Sequence, residues 1–283
     1  MSPMDSRVTL ARPDLAAAEL EGVVAAAAFA PTRRMAVSAP VAPLWREPNV
    51  ASERMDELVL GETFDVLEEA GAFVWGQARR DGYVGYVAAN RLWSPGPPPT
   101  HRVAAISTYA FAEPSIKTAA SGPYSLGALV AIEADEGKFA RSAAGSAGGA
   151  YFWAEHLAPI GGGFDTDWAA VAKRFIGAPY LWGGRTSVGL DCSGLVQQAL
   201  YACGRSCPRD ADQQAALGRE IGRDELARGD LVCWRGHIGL MLDEMRLLHA
   251  NAHHMATAIE PVADAIARIA AGPTGEPTAY RRL

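Results

Sequence analysis

A thiol that attacks a carbonyl needs an imidazole to take its proton, and the imidazole needs a third polar group to hold its tautomer. The last third of this sequence holds the parts. Cys192 follows Leu190-Asp191 and precedes Ser193-Gly194. From it a helical period runs through Leu195, Val196, Ala199, Leu200 and Cys203. Asp191 has the side chain of a helix N-cap. The spacing therefore predicts Cys192 in the first turn of an amphipathic helix. There the positive end of the helix dipole lowers a thiol's pKa and favours the thiolate. The preceding loop, Tyr180-Leu181-Trp182-Gly183-Gly184, is punctuated by glycines that let a substrate backbone come close. Taken alone, the same pattern reads equally well as an inert, half-buried cysteine, so a base has to decide.

The base is sought in the strands that follow. Asp230-Leu231-Val232-Cys233-Trp234 reads as one strand and Arg235-Gly236 as a turn. His237-Ile238-Gly239-Leu240-Met241-Leu242 reads as a second strand, and Arg246-Leu247-Leu248-His249-Ala250 as a third. Antiparallel neighbours lie about 4.8 Å apart, so His237 and His249 can approach across a hairpin. Cys192, His237 and His249 can thus fill the roles of nucleophile, base and orienting group. Asn251 and His253 compete with His249 for the third role, being an even number of residues away. His101, His156, His253 and His254 otherwise read as structural histidines. Cys203, Cys207 and Cys233 read as small buried hydrophobes. The three-residue gap between Cys203 and Cys207 has no second pair at zinc-site spacing, so no metal is expected.

The elements upstream suggest two copies of one small domain. Leu60-Gly61 followed by Gly71-Ala72-Phe73 recurs as Leu126-Gly127 followed by Gly137-Lys138-Phe139. Val87-Ala88-Ala89-Asn90-Arg91-Leu92 is echoed by Phe152-Trp153-Ala154-Glu155-His156-Leu157. A repeat of this length means a duplicated domain, not a solenoid. Phe64, Val66, Val74, Tyr83, Val84, Tyr86 and Val87 supply strand material, and Asp81-Gly82 is a turn signal. Short, closely spaced strands suggest a small barrel with Trp75, Tyr83, Tyr86 and Trp93 as its aromatic core. Ser94-Pro95-Gly96-Pro97-Pro98-Pro99 is a stiff linker, and Gly161-Gly162-Gly163 a second boundary. The expected division is an N-terminal helical segment (1–34), β domains at 35–95 and 96–162, and a catalytic domain at 163–283. Residues 9–30 are expected as an amphipathic helix.

Composition narrows the partners. The 283 residues are 49% hydrophobic and 20% charged, with a net charge of −6. A mildly acidic chain without a Lys/Arg-rich block argues against nucleic acid or an anionic membrane as main partner. No apolar run reaches the roughly 18 residues of a spanning helix. Val23 to Ala30 imitates a signal-peptide core, but Asp14, Glu19 and Glu21 precede it where positive charge belongs. A cytoplasmic location is the expectation.

Several motifs in order resemble one family. Pro179-Tyr180-Leu181-Trp182-Gly183-Gly184, Leu190-Asp191-Cys192-Ser193-Gly194-Leu195-Val196, Pro208-Arg209-Asp210, Arg228-Gly229-Asp230-Leu231 and His237-Ile238-Gly239 are similar to the successive signatures of the NlpC/P60 cysteine peptidases. The stretch from Leu60 to Val87 resembles bacterial SH3-type domains, and 101–160 does so more weakly. The resemblance implies an α+β, papain-like catalytic domain behind two SH3-like barrels. It implies hydrolysis of the γ-D-glutamyl–diamino acid bond in murein peptides, without cofactor. By matching, Cys192 is nucleophile, His237 base, His249 the orienting residue, and Tyr180 a partner of the Cys192 N–H at the oxyanion. Asp191 and Ser193 match substrate-contacting positions. Relatives of this architecture act on free muropeptides with an unblocked L-Ala, which makes Asp191 and either Tyr83 or Tyr86 candidates for its amine. A murein amidase, an acyltransferase and a non-catalytic wall-peptide binder are the alternatives.

Overall fold

The computed structural model describes residues 4–283, and chain contacts divide it into a unit ending at Gly163 and one beginning at Phe164. No helix among the described residues is long and apolar enough to cross a membrane.

The first unit is built on antiparallel strands. Seven of them form a sheet in the order 54–59, 41–45, 84–88, 73–78, 63–70, 33–37 and 92–93. Val37, Leu44, Leu58, Phe64, Val74, Val87 and Leu92, one from each strand, meet in a single core. The sheet therefore wraps around its own interior. Asp81 accepts from the Tyr83 N–H and Gly82 takes φ +81°, which makes the tight turn the Asp-Gly pair predicts. The same pairing scheme recurs over 101–159. Strand 41–45 pairs with 54–59 and 84–88, as 107–111 pairs with 120–125 and 151–153. Strand 73–78 pairs with 63–70 and 84–88, as 139–142 pairs with 132–136 and 151–153. Strand 33–37 pairs with 63–70 and 92–93, as 101–103 pairs with 129–130 and 157–159.

The expected N-terminal helix is replaced by extended chain. Ala16–Ala17 pairs parallel with Phe29–Ala30, and only a 3-10 turn, Ala18–Leu20, is helical there. The alanine-rich stretch has good helix propensity but few large side chains to bury, and a short helix is stabilised mainly by the face it buries. Instead Leu10 and Ala17, with Leu15 and Leu20, pack on Trp75, Leu67, Val84 and Tyr86. Trp75 and Tyr86 thus serve this outer cluster, not the barrel core. The guanidinium of Arg12 lies 4.1 Å over the Trp75 ring and donates to the Tyr86 hydroxyl and Glu68.

The second unit is α+β. Its six-stranded sheet runs 219–220, 279–282, 231–234, 237–241, 246–251, 256–261. Helix Cys192–Ala202 packs on the strands 237–241 and 246–251, and every residue of it is buried. Helix Trp168–Lys173 packs beside it, capped by Asp167, and Gly177 turns beyond its end with φ +85°. Helix Val262–Ala270 lays Ala265 and Ile266 against Val232, Trp234, Met241 and Leu247, the face the site shares.

Candidate active site

Asp191 caps the Cys192 helix as its side chain predicts. Its Oδ1 accepts from the Gly194 N–H at 2.7 Å and its Oδ2 from the Gly183 N–H at 2.9 Å. One carboxylate thereby ties the glycine loop to the helix start. Arg209 clamps it from behind: Nη2 lies 2.7 Å from Oδ2, and Nη1 lies 3.0 Å from Oδ1 and 2.9 Å from the Ser193 hydroxyl. Arg209 is 1% exposed. Gly194 is required here, since a Cβ would meet the Gly184 carbonyl oxygen at 2.3 Å.

Asp191, the candidate for a substrate amine, is 6% exposed and has both oxygens engaged by Gly183, Gly194 and Arg209. Ser193, 5% exposed, is likewise spent on Asp191 and Arg209. The expectation for the tyrosines changes too. Tyr83 is 1% exposed inside the barrel core and presents no surface to a ligand. Tyr86 is partly buried and its hydroxyl is held by Arg12.

Cys192 lies at the first turn of a helix that packs on the strand beginning at His237, and the backbone N–H groups of Ile238 and Ser193 partly favour its thiolate. Helix position alone predicts a lowered thiol pKa, but the structure reverses that expectation. Burial, seconded by the neighbouring Asp191 charge, pushes Cys192 up to about 12. Burial also drives His237 down to about 3, with His249 and Arg268 adding to the effect. The resting pair is a neutral thiol and a neutral imidazole.

Strand pairing explains how the imidazoles meet. Leu240 faces Leu248 and Met241 faces Leu247, which sets Gly239 opposite His249 and His237 one step along the diagonal. A Cβ on Gly239 would come 3.1 Å from the His249 Cβ, so glycine clears that space. His237 Nε2 lies 2.8 Å from His249 Nδ1. His249 Nε2 in turn lies 2.7 Å from Glu260 Oε1. Glu260 is on the next strand, and Arg268 of the last helix closes the chain with an ion pair to the same oxygen. Trp234, across the hairpin from His237, packs on its ring at 5.5 Å between centroids. Asn251, one of the competing third groups, accepts instead from His254. His253 stacks on His254. Neither is bonded to His237.

Tyr180 is set by two strips of backbone. Its N–H donates to the Met255 carbonyl, and the following Leu181 N–H donates to Leu190. Burial, together with Cys192 and Asp191, raises its hydroxyl pKa, so the phenol keeps its proton and remains a donor. The Cys192 N–H belongs to the first helical turn and has no intrahelical partner. The Tyr180 hydroxyl is close enough to Cys192 to feel its charge.

His249, His254 and Glu260 present ligand atoms within 4.8 Å of one another, the single such trio found among the described residues. Arg268 already supplies a cation to Glu260, and both His249 nitrogens are engaged. The donor set fits a hydrogen-bond chain better than a metal. The four cysteines are free thiols.

Glu260, Arg268 and the role of Arg209 escaped the sequence reading. A lone Glu in an alternating strand resembles any solvated strand residue. Only the register of three strands aligns it with His249.

Comparison with known proteins agrees with this arrangement. Residues 177–267 match the NlpC/P60 family, and residues 44–92 match the bacterial dipeptidyl-peptidase Sh3 domain. The chain therefore carries an NlpC/P60 domain and one matched bacterial SH3-type domain. Among curated relatives it is 39% identical over 84 residues to the gamma-D-glutamyl-L-lysine dipeptidyl-peptidase of Bacillus subtilis (strain 168), covering 27% of this chain and 28% of that one. It is 36% identical over 86 residues to a probable endopeptidase NlpC homolog of Haemophilus influenzae, 29% and 47% of the two chains. The gamma-DL-glutamyl hydrolase of Bacillus subtilis is 33% identical over 118 residues, 38% and 29%. The matches thus span less than half of each of these relatives. An NlpC/P60 family protein from Bacillus cereus shares the fold, with a TM-score of 0.74 at 17% identity, over 88% of this chain and 99% of that one.

Proposed function

We propose that this chain is a cysteine peptidase that hydrolyses the γ-D-glutamyl bond to the diamino acid of murein peptides. The observation that carries the proposal is Cys192 in the first turn of a buried helix that packs on the strand carrying His237, whose ring is hydrogen-bonded to His249. A protein that only grips peptide has no use for a thiol and two hydrogen-bonded imidazoles. The substrate class draws on the relatives named for γ-glutamyl peptides.

In this reading His237 takes the Cys192 proton as the sulfur attacks the γ-D-glutamyl carbonyl carbon. The oxyanion is held by the Cys192 N–H and the Tyr180 hydroxyl. The imidazolium of His237 then protonates the departing amine, leaving a thioester. Water, deprotonated by His237, cleaves the thioester and restores the thiol. The chemistry uses the chain's own groups throughout.

We further propose that the substrate is a free peptide with an unblocked N-terminal L-Ala. The support is the name dipeptidyl-peptidase, carried by a matched domain model and by a matched relative. We also read 101–159 as a second SH3-type domain, on the strength of its repeated strand pairing. The test is mass spectrometry of products from L-Ala-γ-D-Glu-meso-diaminopimelate beside its N-acetylated form. Release of L-Ala-D-Glu from the free peptide, with the blocked one cleaved far more slowly, is the expected result. Equal rates would remove amine recognition. Both peptides left intact, with whole stem peptide released from a muramoyl-peptide substrate run beside them, would identify an amidase.

A further inference from the structure

A histidine is an ambiguous third member for such a set. A neutral imidazole has one donor and one acceptor nitrogen, and which is which depends on its neighbours. In one arrangement His249 carries its proton on Nε2, and its bare Nδ1 accepts from His237 Nε2–H. The other ring nitrogen of His237 then holds a lone pair and can take a proton from Cys192. In the reverse arrangement His249 carries its proton on Nδ1 and donates to His237 Nε2. His237 is then protonated on Nδ1 and cannot act as base. The 2.8 Å contact between the two rings is compatible with either.

The structure supplies a group that breaks the tie. Glu260 Oε1 lies 2.7 Å from His249 Nε2. It is 12% exposed and ion-paired to Arg268. An ionised carboxylate has no proton to give, so it only accepts. Its place is fixed by register, since Glu260 faces Leu247 while His249 faces Ala258 one diagonal step away. Helix Val262–Ala270 begins directly after this strand and brings Arg268 back over it.

We infer that Glu260, clamped by Arg268, is a positioning residue that sets the tautomer of His249 and, through it, of His237. The proton order along the chain is then fixed: His249 Nε2–H donates to Glu260, and His237 Nε2–H donates to His249 Nδ1. Glu260 touches neither substrate nor Cys192 and acts two imidazoles away. Its carboxyl sits at about 2 despite a desolvation cost, because His249 and Arg268 both hold it as the anion.

The inference rests on reading Cys192 and His237 as nucleophile and base, and its test has a readout that needs no substrate. In 15N-histidine NMR of the full-length wild type at neutral pH, His237 and His249 should both be protonated on Nε2 and bare on Nδ1. A proton on Nδ1 of either ring overturns the inference without any variant. Glu260→Ala should move the His249 proton to Nδ1 in a large share of molecules. It should lower kcat, and the rate of Cys192 alkylation by iodoacetamide, by about a hundredfold or more, as a wrong tautomer does elsewhere, with little change in KM. Glu260→Gln keeps an oxygen between Arg268 and His249, so it should retain the tautomer and recover kcat to within about tenfold of wild type. Equal losses in the Ala and Gln variants with unchanged tautomers would reduce Glu260 to an ion-pair partner and overturn the inference. Expected tautomers in a protein that cleaves no murein peptide would overturn the function and leave the tautomer assignment standing.

Discussion

At the residue scale, burial outweighs the helix dipole at Cys192. A first-turn position contributes a favourable partial charge. The sulfur is nonetheless enclosed and lies beside the Asp191 carboxylate, and both disfavour the thiolate. His237, driven down to about 3, does not hold a proton at neutral pH. Alkylation of Cys192 by iodoacetamide should therefore keep rising from about pH 5 to about pH 9, as expected for a neutral thiol. A plateau beginning in acid would mean a resting thiolate–imidazolium pair. Arg209 is the other residue with a sharp expectation. Removing one member of a buried ion pair strands its partner, so Arg209→Ala should cost about 3–5 kcal/mol in equilibrium denaturation of the full chain. A loss below about 1 kcal/mol, ordinary for a surface pair, would contradict the clamp on Asp191.

The element scale explains what was legible. Cys192 announces itself because Asp191 and the helical period surround it, and those are local signals. His237 and His249 could be paired in advance because strand and turn types mark the hairpins. Glu260 could not, since its meaning comes from the register of a further strand and from a helix that returns Arg268. The N-terminal segment misled for the opposite reason. Alanine favours helix locally, yet Ala17 is worth more buried beside Trp75 and its neighbours. Tyr83 reads both as barrel core and as a candidate for the substrate amine, and it lies in the core; Trp75 and Tyr86, expected beside it, pack in the outer cluster instead. Gly239 is an element-level requirement of the site. Gly239→Ala would press on Leu247 and His249, and should cost about 1–3 kcal/mol of stability through overpacking. Its kcat should fall with it; full kcat with unchanged stability would mean that the hairpin yields freely.

At the scale of the whole molecule, the site's burial makes folding pH-dependent. His237 titrates near 6.5 when unfolded and about 3 when folded, and His249 is shifted in the same direction. Between those values the unfolded chain binds protons that the folded chain refuses. Stability is therefore complete above about pH 6.5 and declines as pH falls toward 3. Glu260, lowered from 4.5 to about 2, adds a further loss below about pH 4.5. Denaturation midpoints across this range should trace that slope, and a flat profile would contradict it. The recurring strand pairing upstream is visible as a sequence repeat, and residues 44–92 match the bacterial dipeptidyl-peptidase Sh3 domain. The central claim is that Cys192 performs covalent catalysis on a γ-D-glutamyl peptide. Acid-quenched intact-protein mass spectrometry during turnover of L-Ala-γ-D-Glu-meso-diaminopimelate tests it most directly. The wild type should carry an L-Ala-D-Glu acyl group mapped to Cys192 and should release that dipeptide. Cys192→Ala, equally folded, should do neither; sustained release by that variant would contradict the account.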